Sequence, residues 1–171
     1  MGVPNELVTL EMELQMVEKY VLIQNSRFGG AFAMTIDSDD AARACPMPKL
    51  ILQPLVENAI THGLAPKNAL FGTPSGCQLT VSAHVKDDKL HIRVFDNGMG
   101  MSKEHLDRLR EQIAESKQIG ESEHIGLPNV ARRIRIYFGD SATFSINSET
   151  GLSTAVDITL PAEGKHLDTD L

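Results

Sequence analysis

Two runs of alternating apolar residues, 78–85 and 89–95, stand only three positions apart, with the turn-forming Lys86-Asp87-Asp88 between them. So short a connection forces the two strands to pair antiparallel. The second run ends in Asp96-Asn97-Gly98-Met99-Gly100-Met101. This is a carboxylate held at a strand end, followed by a Gly-x-Gly turn whose backbone can press close to a flat ligand. A carboxylate accepts hydrogen bonds and donates none, which suits an exocyclic amine such as the N6 group of adenine. Gly98 and Gly100 leave room for a ring or a phosphate where a side chain would clash. The same hexapeptide is also an ordinary solvated turn, so its meaning depends on what accompanies it.

The second informative stretch is Leu50-Ile51-Leu52-Gln53-Pro54-Leu55-Val56-Glu57-Asn58-Ala59-Ile60-Thr61-His62-Gly63. It predicts a helix that starts near Gln53 with Pro54 in its first turn, or is kinked there, and that stops at Gly63. Leu55, Ala59 and Ile60 face a core, while Glu57 with Thr61 and Asn58 with His62 form i, i+4 pairs on the polar side. Asn is a poor mid-helix residue. It earns its place either on a solvated face or on a ligand face, where its amide oxygen can coordinate a Mg²⁺ ion that also holds phosphates. His62 also suits a helix C-terminus through the dipole. Further on, Gly126-Leu127-Pro128-Asn129-Val130 opens a helix with its proline where the missing N–H does no harm. The free N–H groups there offer a seat for phosphate.

Around these stretches, residues 6–26 contain neither Gly nor Pro and place Leu7, Leu10, Leu14, Val17 and Val21 three and four apart, which predicts a helix. It either packs on its own domain or pairs with another helix. A strand over 31–36, a polar loop or short turn over 37–43 and an extended Cys45-Pro46-Met47-Pro48 follow. Residues 65–76, with Pro66, Gly72, Pro74 and Gly76, read as a loop. A polar helix over 102–117 has Ser102 as N-cap and Leu106, Leu109 and Ile113 as its apolar stripe. Residues 118–124 have little to bury and are expected to be mobile. Strands over 143–147 and 153–160 complete a sheet.

Composition narrows the classes. With 171 residues, 42% of them hydrophobic, the chain can bury one core, and a net charge of −7 argues against nucleic acid as a partner. The short basic run Arg132-Arg133-Ile134-Arg135 reads as a solvated face, or as a phosphate or partner surface. Cys45 and Cys77 form no CxxC, so neither a disulfide framework nor a metal site is expected, and a reduced, cytoplasmic setting fits. No run of about 18 apolar residues and no signal-peptide order is present. Residues 1–5 and 163–171 read as polar ends outside the fold.

Taken together, the helix bearing Glu57-Asn58-Ala59, the strand-end Asp96-Asn97-Gly98-Met99-Gly100 and the later Gly126-Leu127-Pro128-Asn129-Val130 resemble, in that order, the N, G1 and G2 boxes of the GHKL ATP-binding superfamily. Leu52 to Gly63 is similar to the N box of LytS/YesM-type bacterial sensor histidine kinases. Leu10-Glu11 to Tyr20 with Arg27-Phe28 resembles that group's linker, and Gly151-Leu152-Ser153-Thr154 to Leu160-Pro161 its closing strand.

The resemblance implies a two-layer α/β sandwich, the Bergerat fold: a mixed sheet of about five strands with helices on one face. It also implies a linker helix over 6–28 leading from a dimerisation and phosphoacceptor domain, and an ATP-binding catalytic domain over 29–162. Asn58 becomes the Mg²⁺ ligand and Asp96 the partner of the adenine amine. Gly98 and Gly100 shape the adenine pocket with Met101 beside them, and His62 lines the nucleotide. Gly126, Leu127 and Asn129 belong to the lid hinge and phosphate turn, and Thr154 closes the pocket behind Asp96. Thr61 stands where many relatives carry Lys, and His124 where many carry the first Gly of Gly-x-Gly.

The implied cofactors are ATP and Mg²⁺, with ADP as product. The implied partners are a histidine-bearing helical domain of the same protein and a response regulator, within a homodimeric sensor at the plasma membrane whose cytoplasmic part this is. None of His62, His84, His91, His105, His124 or His166 has the family's phosphoacceptor setting, so the chain alone is expected not to phosphorylate itself. Three other readings stand beside this one. A hydrolytic ATPase of the same superfamily places a general base where Pro54 stands, leaving Glu57, about 100° around the helix from Asn58, as a poor substitute. A non-catalytic nucleotide-sensing or docking module is the second. The third, a serine kinase of the anti-sigma type, is disfavoured by the linker resemblance.

Overall fold

A computed structural model describes residues 7–72, 76–115 and 126–163. The chain enters through a short strand, β1 (Leu7–Thr9), that pairs antiparallel with β3 (Pro46–Pro48). Helix α1 (Leu10–Arg27) therefore begins later than its apolar periodicity suggests, at Thr9, whose hydroxyl accepts from the Met12 N–H at 3.3 Å. Leu10, Leu14, Val17 and Val21 are buried in the same core as the sheet, and α1 lies against the helix that carries Asn58. After β2 (Phe32–Ser38), the polar stretch winds one helical turn, α2 (Asp40–Arg43), capped by Asp39.

The main sheet has the order β2-β4-β5-β7-β6, built from β2, β4 (Cys77–Lys86), β5 (Lys89–Asp96), β6 (Thr143–Glu149) and β7 (Ser153–Pro161). β2 and β4, joined by a long crossover with helices in it, run parallel, and the other neighbouring pairs of this sheet run antiparallel. The β4–β5 turn holds Asp87 and Asp88 at positive φ, as a two-residue hairpin demands. Leu90, Ile92 and Val94 on β5 are buried, whereas His91 and Arg93 are exposed, and Arg93 faces its register partner Asp157 on β7 at 3.8 Å. The sheet thus has one helix-covered face and one open polar face, the two-layer sandwich with five mixed strands. Helix α5 (Lys103–Glu115) and helix α6 (Leu127–Phe138) bury Leu106, Ile113, Val130, Ile134 and Phe138. Residues 118–124, expected to be mobile, lie outside the described residues.

A further expectation fails. The helix carrying Asn58 does not stop at Gly63, and residues 65–71 are not a loop. Helix α3 (Leu52–Asn58) widens into a π-helical segment (Ala59–Leu64) and continues as α4 (Ala65–Phe71), ending at Gly72. Pro66 sits in the first turn of α4, where it costs little. Gly63 is spent on a close tertiary approach instead of a C-cap.

Candidate functional site

The strand end of β5 and the π segment meet backbone to backbone. A Cβ on Gly98 would lie 2.2 to 2.4 Å from the carbonyl carbon, Cα and oxygen of Gly63, and one on Gly63 would lie 2.4 Å from Asp96 Oδ1. The Met99 N–H donates to the Gly63 carbonyl at 3.1 Å. Two glycines 35 positions apart therefore face each other because neither has room for a side chain. The insertion of a π turn at this point is a common mark of a functional site.

Asp96 sits under this contact, 3% exposed, with Oδ1 accepting the Gly98 N–H at 2.9 Å. Burial pushes its carboxyl up to about 6, against the lowering effects of that hydrogen bond and of the Lys67 ammonium. Lys67, on α4, donates to the Asn97 carbonyl at 2.8 Å. Asn97 in turn ties the turn to β4, accepting from Gln78 N–H and donating to Gly76 O, each at 2.7 Å.

Thr154 is the register partner of Asp96 on β7, so both side chains leave the same face of the sheet, and Thr154 is buried. Its hydroxyl lies 2.8 Å from that of Ser148, which also accepts the Met101 N–H at 2.8 Å and donates to Ser153 O. Gly100, at φ +65, runs against the Glu149 carbonyl, and the Thr150 hydroxyl donates to Met101 O. Asp96, Gly98, Gly100, Met101 and Thr154 thus form one knot at the end of the sheet.

Asn58 lies on the helix that crosses this knot, five residues and roughly 7–8 Å of helix before Gly63. Its half-buried side chain makes no hydrogen bond among the described residues, and His62 is exposed one residue before the glycine contact. Glu57 points elsewhere. Its carboxylate accepts from Gln53 Nε2 at 3.0 Å, and its charge acts on Tyr20 of α1. Gly126 is the extended N-cap of α6, with Leu127 buried and Asn129 exposed in the first turn. His124 lies outside the described residues. Sequence reasoning missed Gly63 as a contact and missed Ser148 and Lys67 altogether; a serine in a strand and a lysine in a presumed loop carry no local signal of these roles.

The arrangement is an acidic strand end packed under a glycine contact, beside a helix presenting an unpartnered amide, on a one-sided α/β sandwich. The profile of the histidine kinase-, DNA gyrase B- and HSP90-like ATPase family matches residues 46–164, and the chain belongs to that family. It is 32% identical over 161 residues to the sensor protein kinase HptS of Staphylococcus aureus (strain bovine RF122 / ET3-1), covering 94% of this chain and 29% of that protein. It is 34% identical over 154 residues to a sensor-like histidine kinase of Staphylococcus epidermidis (strain ATCC 12228 / FDA PCI 1200), covering 90% and 28%. The chain therefore spans less than a third of the curated relatives it matches. In fold it resembles the Acinetobacter baumannii histidine kinase AdeS (TM-score 0.61, 15% identity, 95% of this chain and 69% of that one). It also resembles the histidine kinase domain of the Erythrobacter litoralis EL346 blue-light activated kinase (TM-score 0.56, 16% identity, 91% and 62%).

Proposed function

We propose that this chain is the catalytic ATP-binding domain of a two-component sensor histidine kinase, which binds Mg-ATP and delivers its γ-phosphoryl group to a histidine on a separate helical domain. The observation that carries the reading is the buried Asp96 carboxylate, walled by Gly63 and Gly98, with Asn58 five residues before Gly63 on the same helix. Asp96 accepts from the adenine amine, Thr154 and the 98–101 turn frame the base, and His62 borders the nucleotide. Gly126, Leu127 and Asn129 open the helix on the phosphate side.

Asn58 fits a magnesium role. A single amide oxygen with no rival partner is a hard donor, and Mg²⁺ takes few protein ligands when phosphates and waters complete its shell. Among the described residues no cluster of three His, Cys, Asp or Glu side chains competes for an ion. When bound, the ion neutralises phosphate charge, which together with positioning is most of what phosphoryl transfer asks of a protein. Glu57, bonded to Gln53 on a different face, is a weak candidate for a base, which favours transfer to histidine over hydrolysis by an activated water.

The acceptor imidazole comes from a helical domain of the longer protein, joined through α1. That protein is a homodimeric membrane sensor serving a response regulator. Among the described residues no helix is long and apolar enough to cross a membrane.

Nucleotide binding with and without Mg²⁺, in wild type, Asn58→Asp and Asp96→Asn, tests the site. Loss of base affinity in the second variant and of the metal-dependent increment in the first is expected; unchanged binding in both overturns the assignment. Incubation of the chain alone with ATP is expected to leave no stable phosphohistidine, whereas a supplied acceptor domain becomes phosphorylated. Steady hydrolysis abolished by Glu57→Gln would move the chain to the ATPase reading.

A further inference from the structure

The helix that carries Asn58 is held at two places, at Gly63 by the turn that follows β5 and at its start by other elements. Asp96 and Thr154 belong to paired strands in the middle of the sheet. Asn58 rides on α3, and the start of α3 is tied to α1 and α6. Leu50 lies at φ +59 and Ile51 follows at φ −96, ψ −50. A left-handed residue followed by a right-handed one turns successive N–H groups toward a common point and makes a nest for an anion.

Here the anion belongs to the protein. Glu13 on α1 is 2% exposed and accepts the Ile51 N–H through Oε1 at 2.7 Å, and the neighbouring N–H groups of Leu50 and Leu52 favour its charged form. Arg133 on α6 closes the same turn from the other side. One guanidinium nitrogen donates to Leu50 O at 2.8 Å and the other to Lys49 O, and its charge acts on Glu13.

Nothing about core packing requires this arrangement. Glu13 occupies the inner face of α1 next to Leu14 and Val17, where an apolar side chain would bury without desolvating a charge. Leu50 is a non-glycine residue in the left-handed region, a strained conformation that persists only where its surroundings over-determine it. The residue preceding α3 offers no side-chain cap of its own, so a carboxylate 38 positions away supplies one. The helix that follows this turn is the one that ends in Asn58.

We propose that Glu13 is a positioning residue for the metal end of the site: by gripping the first turn of α3 it sets where Asn58 presents its amide relative to the adenine end held by the sheet. The inference rests on the reading of Asn58 as the magnesium ligand. It makes α1, together with the Gly63 contact at the sheet, one of the two supports that fix the metal end.

The test compares ATP affinity in Mg²⁺ and in EDTA for the wild-type chain, Glu13→Gln, Glu13→Ala and Asn58→Ala, with hydrogen exchange read over residues 50–58. The Mg²⁺-dependent gain in affinity is expected to fall at least fivefold in Glu13→Ala, and less in Glu13→Gln, which keeps one acceptor oxygen. Metal-free affinity stays within about twofold of wild type in both, and exchange accelerates at Ile51 and Leu52. Metal-free binding also guards against misfolding, and Glu13→Gln carries the test if Glu13→Ala does not fold. Equal loss of metal-free and Mg²⁺-dependent binding in Glu13→Gln overturns the inference by making Glu13 a general structural residue. A normal Mg²⁺ gain in the Glu13 variants, with the gain abolished in Asn58→Ala, overturns the positioning role alone. A normal gain in Asn58→Ala removes the magnesium reading and the inference with it.

Discussion

Replacing Asp96 by Asn sets folding against binding, and the structure gives the size of the conflict. Burial raises the Asp96 carboxyl from 3.8 to about 6. That gap corresponds to roughly 3 kcal/mol by which the ligand-free fold is penalised for holding the carboxylate ionised at neutral pH. The sign follows from proton binding. Between these two values the folded chain holds a proton that the unfolded chain has released, so this group's contribution is fully present below about pH 4 and lost as pH rises through about 6.

An Asn at position 96 keeps the oxygen that accepts from Gly98 and removes the charge. Its new N–H₂ group sits near Gly63 and needs an acceptor, which takes back about 1–3 kcal/mol. A net gain of about 1 kcal/mol is expected at pH 7.5, or roughly 2–4 °C in Tm for a chain of this size. Melting curves of the ligand-free proteins from pH 4.5 to 8 read it directly. The variant should melt above wild type at pH 7.5, the difference should shrink on acidification through pH 6 and reverse by pH 4.5, and the variant should bind no ATP. Wild-type nucleotide affinity should weaken below pH 6 as the hydrogen-bond acceptor protonates. A variant less stable than wild type by an amount independent of pH would refute the reasoning, because it would show the carboxylate to be stabilised where it lies.

Other consequences follow from the same knot. Gly98→Ala drives a Cβ into the Gly63 backbone and should cost about 3 kcal/mol in urea unfolding; a change under 0.5 kcal/mol would contradict the close approach. Ser148→Ala removes the acceptor for the Met101 N–H and the partner of Thr154, and should cost about 1–3 kcal/mol while lowering ATP affinity, as measured by denaturation and titration. Neutral behaviour in both assays would show that the hydroxyl is dispensable.

Much of the architecture was legible in local pattern. Period-two alternation and a three-residue gap placed β4 and β5, and the same alternation placed β7. Pro54 lies within the first turn of α3 and Pro128 within that of α6, as the fixed φ and absent N–H of proline require. Asp96 was visible because an acid ending an apolar strand is conspicuous. The segment around Gly63 was misjudged for an equally physical reason: glycine after a helical run is the ordinary sign of a C-cap, and nothing nearby announces that Gly98 will lie against it.

What the order of residues determined alone is whatever depends on neighbours a few positions apart: most element types, turn chemistry, capping by Ser102, and the carboxylate and amide offered for binding. Tertiary structure decided which of these meet. The π turn that seats Gly63 on Asp96, the Ser148–Thr154 pair behind it, and the Glu13 cap on α3 join residues from 6 to 38 positions apart. Such contacts exist because the folded backbone leaves no room for a Cβ at one point and leaves N–H groups without a partner at another, and no local window of the chain contains both halves of either condition.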